Sequence, residues 1–225
     1  MTLVPLAPDL WIAPRSLRVL GFLDIGTCMS VVRLPDGGVF LHSPVPADGP
    51  TCAAVDAIGP VRAIVAPNRV HHFFAGEWKR AYPNARLLAA PGLAAKRKDL
   101  RFDGELGDGP DVAYAGALDQ LVVRGAPAIS EVAFLHRASR TLLVTDLAFH
   151  PTPASRTGLR VWCRLTRVGP FGPNQVVRFL IRDRAAFRAS IERVLGWDFD
   201  RVTVTHGEPL ARGGREALRR AYAWL

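Results

Sequence analysis

Lysine is almost missing from this chain. Of 29 basic residues only Lys79, Lys96 and Lys98 are lysines; the rest are arginines, and the formal net charge is +9. Such an excess raises the question of nucleic acid or an anionic membrane as partner. The arginines are spread along the whole length, and the densest cluster, Lys96-Arg97-Lys98 with Arg101, lacks interleaved aromatics. Nucleic acid is therefore not expected; a small-molecule substrate or ligand is, with the basic field favouring an anionic one. Cysteine is scarce as well. Cys28, Cys52 and Cys163 are odd in number and form no C-x-x-C, which excludes a disulfide framework or zinc finger and points to a reducing compartment, the cytoplasm. No apolar run reaches the roughly eighteen residues of a membrane span. The start, MTLVPLAPDLWIAPR, has no basic segment before an apolar one, so no secretory leader is read. Fixed-period repeats, low-complexity tracts and obvious linkers are also missing, and one domain over residues 1–225 is expected.

What is present is ample apolar material, 49% of 225 residues, enough for a substantial core. Residues 9–45 read as strands, with PDGG at 35–38 as a hairpin turn. Residues 50–59 read as a helix, opened by Pro50-Thr51 and closed by Gly59. Strands and helices then alternate to about residue 100, which argues for parallel or mixed βαβ layering. ARLLAAPGL reads as a strand and turn, KRKDL as helical, and residues 103–111 as a Gly- and Asp-rich loop. LDQLVVRG, EVAFLHR and TLLVTDLAF return to strands. Residues 151–175 show no clear period and read as a loop or lid. Residues 183–196 form an amphipathic helix, RVTVTHGEPL a last strand, and GGREALRRAYAWL a closing helix.

Chemistry concentrates at strand ends. The apolar run Val61–Ala66 breaks at Pro67-Asn68 and leads into His71-His72. The plain alternative there is an ordinary strand-to-helix loop whose histidines pack and hydrogen-bond. Asp146 closes another strand, and His206-Gly207 a third. Histidines plus a carboxylate suit Zn²⁺, Fe or Mn.

The order of these parts resembles the metallo-β-lactamase fold. VAFLHRASRTLLVTDLAF resembles the family's hairpin ending on a metal-bridging aspartate, here Asp146. VTHGEP resembles its final metal-histidine motif, here His206, and PNRVHHFF sits where the family carries an H-x-H-x-D-H loop. Over its length the chain also resembles a divergent branch of the superfamily, a domain family of unknown function. The shared features are Pro-Asn-x-x-His-His, Glu-Trp, Pro-Gly-Leu, Lys96-Arg97, Glu131, His136-Arg137, Ser139-Arg140, Asp146 and His206-Gly207. The resemblance implies a four-layered αββα sandwich, an α/β (α+β) fold.

The ligand loop departs from the family. Asn68 stands at the first-histidine position, Val70 at the second and His72 at the water-orienting aspartate; an alternative register puts His71-His72 on the Asp-His pair. Ala126 follows Gly125 where a further histidine belongs, with Glu131 nearby as a substitute oxygen ligand. The set that remains is His71, His72, Glu131, Asp146 and His206, enough for one Zn²⁺ (or Fe or Mn) with a position left for water. His72 and Asp146 are the candidate catalytic groups, with His72 or Glu131 as a base if not bound to metal. Asn68, Ser139, Arg140 and Glu208 are expected to support the ligands, Glu208 by orienting His206. His136 is expected at the surface or in a hydrogen bond, His150 as a cap of the following loop or in the site lining, and Trp78 and Trp162 as core or pocket walls, while Cys163 has no partner motif for a nucleophilic role. The resemblance implies hydrolysis of an ester, thioester, amide or phosphoester by a metal-activated water. The alternative is a non-catalytic fold member that binds no metal and takes a small ligand or a partner protein in the same cleft.

Overall fold

The computed structural model describes residues 3–225. The chain opens with strands β1 (Val4–Ala7), β2 (Leu10–Arg15), β3 (Arg18–Val19), β4 (Leu23–Asp24), β5 (Thr27–Arg33) and β6 (Val39–His42). The β5–β6 turn is the PDGG segment, where Asp36 accepts the Gly38 N–H at 2.9 Å and Gly37 takes φ 82°, a left-handed conformation that glycine adopts without cost. Helices and strands then alternate: α1 (Gly49–Asp56), β7 (Val61–Ala66), α2 (Ala75–Ala81), β8 (Arg86–Ala89), α3 (Leu93–Lys96) and β9 (Gly104–Glu105). Except for the separate β3–β4 hairpin, these strands make one seven-stranded sheet, antiparallel up to β6 and parallel from β6 to β9.

The rest of the chain supplies β10 (Leu118–Val122), β11 (Val132–His136), β12 (Thr141–Leu143), β13 (Phe149–His150), α4 (Thr157–Leu165), α5 (Gln175–Leu180), α6 (Arg184–Leu195), β14 (Arg201–Thr203), β15 (His206–Gly207) and α7 (Gly214–Ala221). A second sheet has the order β10-β11-β12-β14, its last pair parallel. The two sheets pack face to face. Phe40, Ala63, Val65 and Leu88 of the first meet Leu118, Val132, Phe134 and Leu143 of the second. The alternate residues point outward. Met29, Leu41, Ile64 and Leu87 lie under Val55, Trp78 and Leu93 of the first helical layer. Leu121, Ala133, Leu142 and Val202 lie under Phe187, Ile191, Val194 and Leu218 of the other. Strand periodicity of two thus dictates an αββα sandwich. A buried hydrogen bond of 3.1 Å from Ser30 to Thr203 ties one sheet to the other. Among the described residues, no helix is long and apolar enough to cross a membrane.

Three expectations need correction. The first helix starts earlier than Pro50, because Asp48 caps it by accepting the Thr51 N–H at 2.8 Å. The helix near residue 96 is Leu93–Lys96 rather than KRKDL, since Arg97 has already left helical backbone geometry. Residues 151–175 are not a featureless loop. They contain α4, whose Leu159 and Cys163 are buried one turn apart, with Trp162 partly buried beside them. That i, i+3, i+4 spacing is present in LRVWCRL but is masked by the surrounding arginines, glycines and prolines.

Candidate metal centre

Each of the three strand ends delivers one side chain to a common point. The turn after β7 is built by Asn68, which is fully buried. Its Oδ1 accepts the backbone N–H groups of Val70 (2.8 Å) and His71 (2.5 Å), an Asx turn that rotates the His71 ring inward. Its Nδ2 donates to Thr145 Oγ1 at 2.8 Å and to Asp146 Oδ2 at 2.7 Å. One side chain therefore sets the distance between the histidine turn and the aspartate turn. His71 Nε2 lies 3.5 Å from Asp146 Oδ2. The His71 and His206 rings are 5.0 Å apart between centroids. His71, Asp146 and His206 are all buried, and each offers a ligand atom within 4.8 Å of the others.

The orientation of each donor has a cause. His206 Nδ1 sits 2.8 Å from the carbonyl of Gly26, which requires a protonated Nδ1 and leaves Nε2 as an electron-pair donor. Its ring stacks on Phe149, centroids 5.1 Å apart and planes 11° off parallel. Gly207 follows at φ 112°, and a Cβ there would stand 2.2 Å from the His150 carbonyl, so β15 lies against β13 as only glycine permits. His71 Nδ1 is 3.3 Å from Ser43 Oγ, at the end of β6, while its Nε2 is buried without a hydrogen bond. Burial alone would raise the Asp146 carboxyl. His71, His206 and the Asn68 amide more than offset it and hold the group below its ordinary value. Burial, and then the neighbouring His71, push His206 down to about 4, which keeps it neutral.

The donor set fits a metal ion. A tetrahedral site with ligand distances near 2.1 Å has edges of about 3.4 Å, close to the observed His71–Asp146 separation. A buried, unpartnered imidazole nitrogen beside a carboxylate is the kind of polar atom that an ion would satisfy.

The other expected residues lie elsewhere. Glu131 is buried, but its two oxygens accept the N–H groups of Thr145 (2.6 Å), Asp146 (2.8 Å) and Leu147 (3.1 Å). It shapes the aspartate turn from behind instead of facing the two histidines. Burial, and then Asp146, raise it to about 7. His72 turns away from His71: its Nδ1 is 2.9 Å from an Arg97 Nη, and burial followed by Lys96 and Arg97 lowers it to about 4. Ser139 and Arg140 belong to the turn before β12, at the opposite strand end from Asp146. Ser139 bonds His136 and Arg140 pairs with Asp198. Glu208 meets His150 through its backbone carbonyl; Gly26 is what orients His206. The sequence reading missed Ser43, Gly26 and Phe149 in these supporting roles. A backbone carbonyl leaves no mark in sequence, although His42-Ser43 at a strand end was a visible signal.

The trio forms the polar end of a cavity of about 300 Å³. Its walls are apolar: Leu17, Val19 and Ile25 from one side, Trp162, Val177 and Leu180 from another. Asn174 also borders it, capping α5 by accepting the Val177 N–H at 2.8 Å. Among the described residues, no arginine or lysine lines it.

Comparison with solved structures agrees with this architecture. A metallo-β-lactamase from Pontibacter korlensis matches at a TM-score of 0.68 with 14% identity, over 98% of this chain and 96% of that one. One from Erythrobacter litoralis, with β-mercaptoethanol in the active site, gives 0.69 and 15%, over 99% and 96%. FIM-1 from Pseudomonas aeruginosa in its mono-zinc form gives 0.66 and 12%, over 98% and 93%. No protein-family model and no curated protein matches the sequence. The chain has the metallo-β-lactamase fold, with a buried His-Asp-His group as its possible metal site.

Proposed function

We propose that the protein holds one divalent ion, Zn²⁺ or else Fe or Mn, between His71, Asp146 and His206, and hydrolyses a small ester, thioester or amide in the adjoining cavity. The observation that carries this reading is the convergence of three buried donors within 4.8 Å at a polar end of a largely apolar pocket. Three protein ligands leave a coordination position for chemistry. A bound ion would polarise a substrate oxygen and bring a water to a pKa of about 7. The residues supply the rest. Gly26 fixes the donor tautomer of His206, and Ser43 meets the far nitrogen of His71. Asn68 holds Asp146 Oδ2, and Asp146 Oδ1, which none of the described hydrogen bonds engages, would be open to take a proton from a water. The apolar walls take up the acyl portion and exclude bulk water. A lining that holds no arginine or lysine to meet a phosphate favours an acyl substrate over a phosphoester, despite the chain's net charge.

The test is elemental analysis of the purified protein beside assays on p-nitrophenyl esters of increasing acyl length. Stoichiometric Zn, Fe or Mn that His206→Ala and Asp146→Ala abolish, with metal-dependent hydrolysis, is the expected result. Metal-free protein whose melting temperature ignores chelator would overturn the reading. That outcome is the one expected of the non-catalytic ligand-binding alternative, which the replacement of two family ligands by Asn68 and Val70 favours; stoichiometric metal without hydrolysis of any ester or amide would overturn the hydrolytic part of the reading alone.

A further inference from the structure

The exposed apolar side chains of this protein are gathered in one place. Among the described residues, ten large hydrophobics are strongly exposed; Val70, Phe73 and Val176 line the cavity, Leu20, Phe22, Val161, Leu165 and Phe179 lie within three positions of a lining residue, and Val4 and Val112 do neither. The β3–β4 hairpin contributes Leu20 and Phe22, each 76% exposed, at a tip next to the cavity-lining Val19. The histidine turn contributes Val70 and Phe73, which line the cavity themselves. Helix α4 adds Val161 and Leu165, one turn apart and flanking the lining residue Trp162. Helix α5 adds Val176, in the lining, and Phe179 three residues on, which shares its face. A concentration of this kind marks an interaction surface.

Charge on the stretch that carries α4 and α5 has one sign. Between Asp146 and Asp183 there is no acidic residue, while Arg156, Arg160, Arg164, Arg167, Arg178 and Arg182 fall within that span. Arg156 pairs with Asp24 at 2.6 Å. Arg18 of the hairpin and Arg160, Arg164, Arg167 and Arg182 are exposed, with no carboxylate partner among the described residues. Exposed arginines elsewhere are commonly paired, as Arg33 is with Asp9 and Arg137 with Asp119.

We propose that this rim docks on an anionic lipid surface, with the Leu20–Phe22 tip and the exposed faces of α4 and α5 entering the headgroup boundary and the unpaired arginines meeting lipid phosphates and carboxylates. The protruding apolar tip and interspersed arginines are the two components of interfacial binding. A protein partner would more commonly be met by a contiguous apolar patch with a charge-depleted centre. Nucleic acid would leave the aliphatic Leu20, Val161, Leu165 and Val176 without a role. This inference needs no metal, so it stands or falls separately from the proposed hydrolysis.

The experiment is vesicle co-sedimentation of chelator-treated full-length protein. It compares phosphatidylcholine vesicles with vesicles that also contain phosphatidylserine, and adds Phe22→Trp as a fluorescent reporter of insertion. The expected result is binding to the anionic vesicles that weakens with salt, and a blue shift of the reporter. Arg160→Gln with Arg164→Gln should weaken it about twenty-five-fold, from roughly fivefold per arginine near such a surface. Leu20→Ser with Phe22→Ser should also weaken it, with unchanged melting temperatures in both variants. No sedimentation at low salt, or sedimentation that ignores both double variants, overturns the proposal. So does tighter binding of an oligonucleotide, or self-association abolished by Leu20→Ser with Phe22→Ser, either of which would assign the surface to another occupant.

Discussion

The amide of Asn68 and the carboxylate of Asp146 meet at 2.7 Å across 78 positions of sequence. Because the amide nitrogen makes that contact while the oxygen of the same amide accepts the backbone N–H groups of Val70 and His71, Asn68 couples the spacing of two candidate ligands. Asn68→Ala leaves those partners buried and unpaired. It should cost about 2–4 kcal/mol in chemical denaturation and weaken metal binding roughly 10–100-fold. An unaltered affinity measured by competition with a chromophoric chelator would refute the coupling.

Glu131 makes a sharper case, because it looks like a ligand in sequence and acts as scaffold in the structure. Three backbone N–H groups converge on its oxygens. Glu131→Gln turns an amide NH₂ toward at least one of them and should destabilise the fold by about 2–3 kcal/mol. If Glu131 were a ligand instead, the substitution would empty the site while leaving the metal-free protein as stable as before.

Gly207 carries the last candidate ligand into place. A methyl group there meets the His150 carbonyl at 2.2 Å, on a backbone already at φ 112°. Gly207→Ala should push β15 off β13 and lower stability by more than the roughly 1 kcal/mol of a simple glycine replacement. A melting temperature within a degree or so of the parent would mean that the strand pair has room to spare.

Stability should fall on acidification, with a definable sign. Burial, and then His71, push His42 down to about 3, and His206 is held at about 4. Both bind their protons more readily when unfolded, so the stability they confer is complete above about 6.5 and is lost as pH falls toward those values. Glu131, raised to about 7, acts in the opposite sense, its contribution being lost as pH rises from about 4.5 to 7. His42→Asn should therefore reduce the slope of unfolding free energy against pH below 6.5 by about 1.4 kcal/mol per unit, read from denaturation of the metal-free protein. Parallel slopes for parent and variant would contradict the burial of a neutral imidazole.

The fold was largely legible in sequence because its layers follow simple periods. Ala63–Ala66 sends alternate residues to opposite cores, and the PDGG turn sets the β5–β6 hairpin. The site was legible in outline, since strand ends broken by His71, Asp146 and His206 are visible one by one. Which of two adjacent histidines turns inward was not legible. That depends on the Asn68 turn and on Arg97 drawing His72 aside, both contacts through space. Glu131 misled for a related reason: composition shows a carboxylate near the site but not which of its neighbours saturate it. Ser139 and Arg140 are near Asp146 in sequence yet stand a strand's length away, at the other end of β12.

Of the three converging side chains, His71 lies before the exposed connection at 107–112, and Asp146 and His206 lie after it. Neither half of the chain owns the centre. It exists only once the two sheets have closed on each other, so an ion held there would act as a clasp between them. Metal uptake would then report late assembly, and a chain nicked in that connection would regain the ion only when its two pieces rejoin.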